Sequence, residues 1–209
     1  MTVYVIGGIA AIALVAAVSI RQFLAPPSTA PDYDEPRPAL ALADDGYVTN
    51  TESIMIDLPR EDVHSWVSNP ELELEDFVDS GDDFPEIVGT DDIVGDFSDI
   101  GNRQDARRVV NFADGHFLAE EVISDSEENF RYMIWGFTSY QRLAVDHGVA
   151  EFKFIDHGDR SEIKWIYSLQ PRNAIVRPAV NSFVEGALQT MMVDTLAGMK
   201  EGAESELLE

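Results

Sequence analysis

Two hydrophobic periods divide this chain. Between residues 48 and 170, apolar side chains recur mainly at every second position, as on a strand with one face buried. From residue 176 to 200 they recur at steps of three and four, the period of a helix with one broad apolar stripe. The first pattern predicts a strand over 48–58, where Ile54, Ile56 and Leu58 alternate with Ser53, Met55 and Asp57. Pro59 ends it, and a short helix carrying Val63, Trp66 and Val67 is expected over 60–68. Further strands are expected over 106–112, 116–124, 130–138, 149–156 and 161–170. Asp114-Gly115 and Gly158-Asp159 supply hairpin turns. In the last hairpin, Phe152, Phe154, Ile163, Trp165, Tyr167 and Leu169 alternate with Glu151, Lys153, Glu162 and Lys164, so one face is core and the other wet. The 130–138 strand differs: Tyr132, Met133, Ile134 and Trp135 cover both of its faces.

The second pattern makes the last long helix the element on which the strands close. Its stripe runs through Val180, Phe183, Val184, Ala187, Leu188, Met191, Met192, Thr195, Leu196 and Met199. Pro178 suits a first turn, and Asn173 or Asn181 could cap it. Methionine is an adaptable filler, while Gly186, Ala187 and Gly198 leave space. The expectation is room between helix and sheet.

Residues 3–20 are an uncharged apolar run long enough to span a bilayer. No Lys or Arg precedes it, which fits an uncleaved single-pass anchor over 1–24 better than a signal peptide. Arg21, with Arg37 further on, places the C-terminal side of the run in the cytoplasm. Residues 25–45 hold five prolines among small and acidic residues, the composition of a semi-extended linker. The folded domain is then 46–204.

Charge narrows the function. A formal net charge of -25, with 39 acids, argues against a nucleic-acid partner. It suggests adaptation to salty surroundings, where screening tolerates self-repulsion. With no cysteine there is no disulfide, thiolate metal site or cysteine nucleophile. Residues 71–99 carry twelve acids and no base, yet Asp79-Ser80-Gly81-Asp82-Asp83 lacks the ligand spacing of a calcium loop, so a solvated acidic surface is expected. Of the four histidines, His147 and His157 sit in two Asp-His-Gly triplets ten residues apart. One strand would hold them about 30 Å apart, so they are expected as turn residues. His64 and His116 are expected at the surface. Phosphate loops, dinucleotide fingerprints, nucleophile elbows and zinc helices are missing, and neither metal nor cofactor is expected.

Three segments carry a resemblance. The strand–Pro59–helix opening with Val63 and Trp66, the Phe84-Pro85-Glu86-Ile87-Val88-Gly89 stretch, and Arg108-Val109-Val110-Asn111-Phe112-Ala113-Asp114-Gly115 followed by Glu120 resemble the START/birch-pollen-allergen-like superfamily, in its polyketide cyclase/dehydrase and lipid-transport type. The resemblance covers about residues 46–200. It implies an α+β helix-grip fold, a curved antiparallel sheet wrapped around the C-terminal helix, here with one N-terminal transmembrane helix added. It implies a hydrophobic cavity between the two. Candidate ligand-binding residues are then Arg108, Glu120, Tyr132, Phe152, Phe154, Trp165, Tyr167, Phe183, Ala187 and Met191. Arg107 and Glu121 become equally eligible if the register slips by one. Three functions fit: a membrane-tethered carrier or sensor of a hydrophobic small molecule or lipid, a cyclase- or dehydratase-type enzyme, and a non-catalytic accessory protein of a membrane complex. An Arg–Glu pair would orient a polar head, or move a proton in the enzyme.

Overall fold

Alternation turns into one seven-stranded antiparallel sheet. The structure, a computed structural model, describes residues 24–40, 46–69, 72 and 84–208. The strands are β1 (Val48–Ile56), β2 (Ile87–Val94), β3 (Arg107–Phe112), β4 (Phe117–Ser126), β5 (Asn129–Trp135), β6 (Val145–Asp156) and β7 (Ser161–Pro171), in the order β1-β7-β6-β5-β4-β3-β2. Helix α1 (Arg60–Val67) follows β1. The C-terminal helix is α2 (Arg177–Phe183), a single π-turn at Val184–Leu188, and α3 (Gln189–Leu207). Asn173 Oδ1 accepts the N–H groups of Ile175 and Val176 just before α2, and Pro178 lies in its first turn. This is the helix-grip arrangement. The run 3–20 lies outside the described residues, as do Asp79 to Asp83. Among the described residues no helix is long and apolar enough to cross a membrane.

The main core fills the concave side. Val180, Val184, Leu188, Met192, Leu196 and Met199 of the C-terminal helix meet Ile134, Ala150, Ile163 and Leu169 of the sheet, with Val63 and Trp66 of α1. Trp66 approaches α3 so closely that a Cβ on Gly202 would lie 2.5 Å from its ring, so only glycine fits there. The Trp66 indole then donates to Glu206 at 3.0 Å.

The convex side holds a second core, and it corrects one expectation. Part of the 25–45 segment, read as a semi-extended linker, lies against the sheet through Pro26, Tyr33 and Leu40, and residues 41–45 lie outside the described residues. Tyr33 is 6% exposed among Val109, Ala119, Met133, Trp135 and Val149. Its hydroxyl donates to the Gly136 carbonyl at 2.9 Å. Gly136 has φ +68°, and a Cβ there would meet the Tyr33 ring at 2.3 Å, so backbone and contact both require glycine. The apolar residues on both faces of β5 are thereby explained: one face meets the helix and the other meets this segment.

Candidate functional site

Register decides which polar groups face inward. β3 and β4 pair Arg107 with Glu121 and Arg108 with Glu120. Successive side chains point to opposite faces, so the two ion pairs lie back to back through the sheet. One register holds both pairs, and it turns Arg108 and Glu120 toward the cavity and Arg107 and Glu121 away from it.

On the concave side a cavity of about 420 Å³ lies between sheet and C-terminal helix. That volume is within the usual range of small-molecule sites. Nine of the chain's eleven phenylalanines border it, so its walls are rich in aromatic rings. Of the ten candidate residues, Arg108, Glu120, Tyr132, Phe152, Phe154, Trp165, Tyr167, Phe183 and Met191 lie on its wall. Ala187 does not. Gly186 beside it has open space around it, and both Gly186 and Gly198 are exposed. The π-turn is the reason: it adds a residue to one turn and shifts the phase of the stripe. Val184 and Leu188 point inward, and the small residues do not widen the cavity.

The Arg108 guanidinium donates from Nε to Glu120 Oε2 at 2.8 Å and reaches the same oxygen from Nη2 at 2.7 Å. Glu120 Oε1 accepts no hydrogen bond among the described residues. Arg108 also lies 3.8 Å over the ring of Phe97, and Arg103 lies 4.0 Å over that of Phe130. Phe97 meets Phe130 edge-on and Phe130 stacks on Tyr132. Arg103 is fixed by both oxygens of Asp125, at 2.9 and 3.2 Å. Two arginines thus clamp one aromatic wall.

Three donors near this wall have no partner. The buried Trp165 indole N–H makes no hydrogen bond, and the Tyr132 and Tyr167 hydroxyls make none among the described residues. Burial, then the negative charge of Glu120, pushes both phenols far above their ordinary value. They stay protonated and serve as neutral donors. A buried donor without a partner, as at Trp165, costs about 1–3 kcal/mol.

The histidines are where sequence reasoning missed most. His64 and His116 line the cavity rather than the surface. His116 is buried with Nδ1 3.1 Å from Thr138 Oγ1. Thr138 Oγ1 also accepts the Phe117 N–H at 2.8 Å and donates to the Phe117 carbonyl at 3.2 Å, which holds the threonine against the ring. A signal existed: His116, Leu118 and Glu120 share one strand parity. His64 meets Phe154 edge-on at 5.3 Å. Burial, the largest influence, lowers its pKa from the ordinary value. His147 is not a turn residue either, because β6 begins at Val145. It is buried, with Nε2 2.8 Å from the Tyr47 hydroxyl and Nδ1 3.0 Å from Asp146. His157 lies exposed beyond the strand's end.

No family model and no curated relative matches the sequence. Solved structures do. Truncated norcoclaurine synthase from Thalictrum flavum aligns with a TM-score of 0.55 at 17% identity, covering 78% of this chain and 97% of that one. A protein of Thermus thermophilus gives 0.55 at 15%, covering 77% and 99%. Ara h 8.0201 gives 0.53 at 14%, again covering 77% and 99%. At these identities the likeness shows the fold, which is that of the birch-pollen-allergen and norcoclaurine synthase type.

Proposed function

We propose that the chain binds a hydrophobic small molecule or lipid between sheet and C-terminal helix, tethered to a membrane by residues 3–20 with its domain on the cytoplasmic side. One observation carries the binding reading. A cavity of about 420 Å³ rich in aromatic rings holds hydrogen-bonding capacity in Trp165, Tyr132, Tyr167 and Glu120 Oε1 that the described residues do not use. The ligand this suits is mostly apolar, with a polar group able to accept from the donors or to donate to Glu120. The tether rests on the uncharged run itself and on Arg21.

Catalysis is less well supported. General acid–base work needs two titratable groups converging on one reacting atom. Here they spread along the cavity: Glu120 and His116 are four strand positions apart, about 13 Å. His64 responds instead to Asp125, Glu127, Arg103 and Arg60. Native mass spectrometry of the full chain, released in mild detergent, tests binding. A bound apolar species should be lost in Met191→Trp, which fills the cavity, and kept in Ala187→Trp, which does not. Equal occupancy in both variants would place the ligand elsewhere.

A further inference from the structure

We propose that one end of the domain is a docking surface for an anionic lipid bilayer. It is built from the β3–β4 turn, the helical turn Tyr140–Leu143 and the loop after β7. Three stretches without a single Asp or Glu, residues 1–31, 129–145 and 163–184, supply or adjoin it. In a chain with 39 acids, that leaves this end with far less negative charge than the rest.

The structure brings the stretches together. Pro26 packs on Gly115 in the β3–β4 turn. His116 beside it bonds to Thr138, just before the helical turn. The Arg172 N–H donates to the Ala144 carbonyl at 2.9 Å, joining that turn to the end of β7. Three large apolar side chains stand out here: Ile175 is 89% exposed, Tyr140 56% and Leu143 50%. Of the arginines in these segments Arg172 is exposed, whereas Arg177 donates to the Gly46 and Tyr47 carbonyls and Arg142 has its Nε and Nη2 buried. Among the described residues the bordering acids are Asp114, Asp146 and Glu86.

Aliphatic and aromatic tips flanked by arginine suit the headgroup layer of an anionic membrane. The route of the chain names the occupant. Pro26 reaches the domain at this end, and only five residues of sequence separate it from the apolar run 3–20. His116, Phe137, Ser139 and Gln141 line the cavity at the same end, so a docked domain turns that part of the cavity toward the lipid. The inference rests on the tethered reading above for which membrane lies near.

The full chain, which has no native cysteine, is reconstituted in phosphatidylcholine vesicles with and without phosphatidylglycerol. A fluorophore is placed at Ile175→Cys or, at the opposite end in the β6–β7 turn, at Asp159→Cys. Spin-labelled lipid should quench the Ile175 label strongly and the Asp159 label little. The Ile175 quenching should fall without phosphatidylglycerol and with added Arg172→Glu, the docked population dropping roughly fivefold per arginine lost. Equal quenching at both positions, or none at either while the protein floats with the vesicles, overturns the docking surface and leaves the tether standing. Failure to float overturns both. A signal that follows protein concentration rather than lipid assigns the surface to a second copy and overturns the proposal. Ligand occupancy, read by native mass spectrometry on the same samples, separates failed docking from a failed cavity.

Discussion

The two faces of the β3–β4 ladder carry the same chemistry in opposite surroundings. On the convex face Glu121 is saturated: Arg37 Nε donates to Oε1 at 2.7 Å, while Arg107 donates to Oε2 at 2.9 and 2.6 Å. Arg107 also donates to the carbonyls of Tyr33 and Glu35 and lies over Trp135. On the concave face, Glu120 has one partner, one unused oxygen and a cavity beside it. A buried pair with every bond made specifies structure. A buried pair with capacity left over is a candidate site. The contrast separates the two roles where residue types alone do not.

The convex face should be the less forgiving. Glu121→Gln leaves Arg37 and Arg107 sharing a neutral acceptor under cover, an expected loss of about 3–5 kcal/mol. Tyr33→Ala opens the outer core and should cost about 3 kcal/mol. Removing residues 1–23 should leave urea stability unchanged, whereas removing residues 1–40 should expose Met133 and Trp135 and cause aggregation. Equal stability of the two truncations would reduce the 24–40 segment to a spacer after all.

Glu120→Gln should cost only about 1 kcal/mol, because Arg108 keeps an amide acceptor and its stack on Phe97. Its larger effect belongs in ligand occupancy. A stability loss matching that of Glu121→Gln would mean the inner pair is structural too, and the contrast between the faces would collapse.

How much of this was legible depended on parity. Alternation placed Phe152, Phe154, Trp165 and Tyr167 on the concave wall, because period two leaves little freedom once one face is apolar. Alternation could not choose between Arg108–Glu120 and Arg107–Glu121, since adjacent charged residues satisfy either phase, and both phases are used. The 24–40 segment stayed hidden for another reason. Tyr33 sits between Asp32 and Asp34 amid prolines, a composition that reads as solvated, and its burial depends on the space above Gly136, more than a hundred residues away. The misplaced Gly186 and Ala187 follow from a π-turn that a fixed helical period cannot anticipate.

That error yields a smaller prediction. Gly186 is exposed with open space around it, so Gly186→Ala removes backbone freedom from the unfolded chain without a clash. Thermal melts should show stabilisation of about 0.5 kcal/mol, and Ala187→Leu should lie within about 0.5 kcal/mol of zero. A drop of several degrees for either variant would return the small residues to close packing.

The smallest effect is the pH response of His64, the cavity-wall imidazole whose pKa burial holds below the ordinary 6.5. Asp125 and Glu127 pull that value up while Arg103 and Arg60 push it down, so burial decides the direction. Above pH 6.5 the ring is neutral in both folded and unfolded chains, and its contribution to stability is intact. As the pH falls below 6.5 the unfolded chain takes the proton first, so stability declines with pH. The decline ends below the folded pKa, where both states are charged. Part of the ring is open to solvent, which keeps the slope shallow. Urea midpoints between pH 7 and pH 5 should therefore fall less in His64→Gln than in the unaltered chain. Parallel lines for the two proteins would show that His64 titrates as it does in the unfolded chain, and would return it to the solvent-facing position that sequence alone had given it.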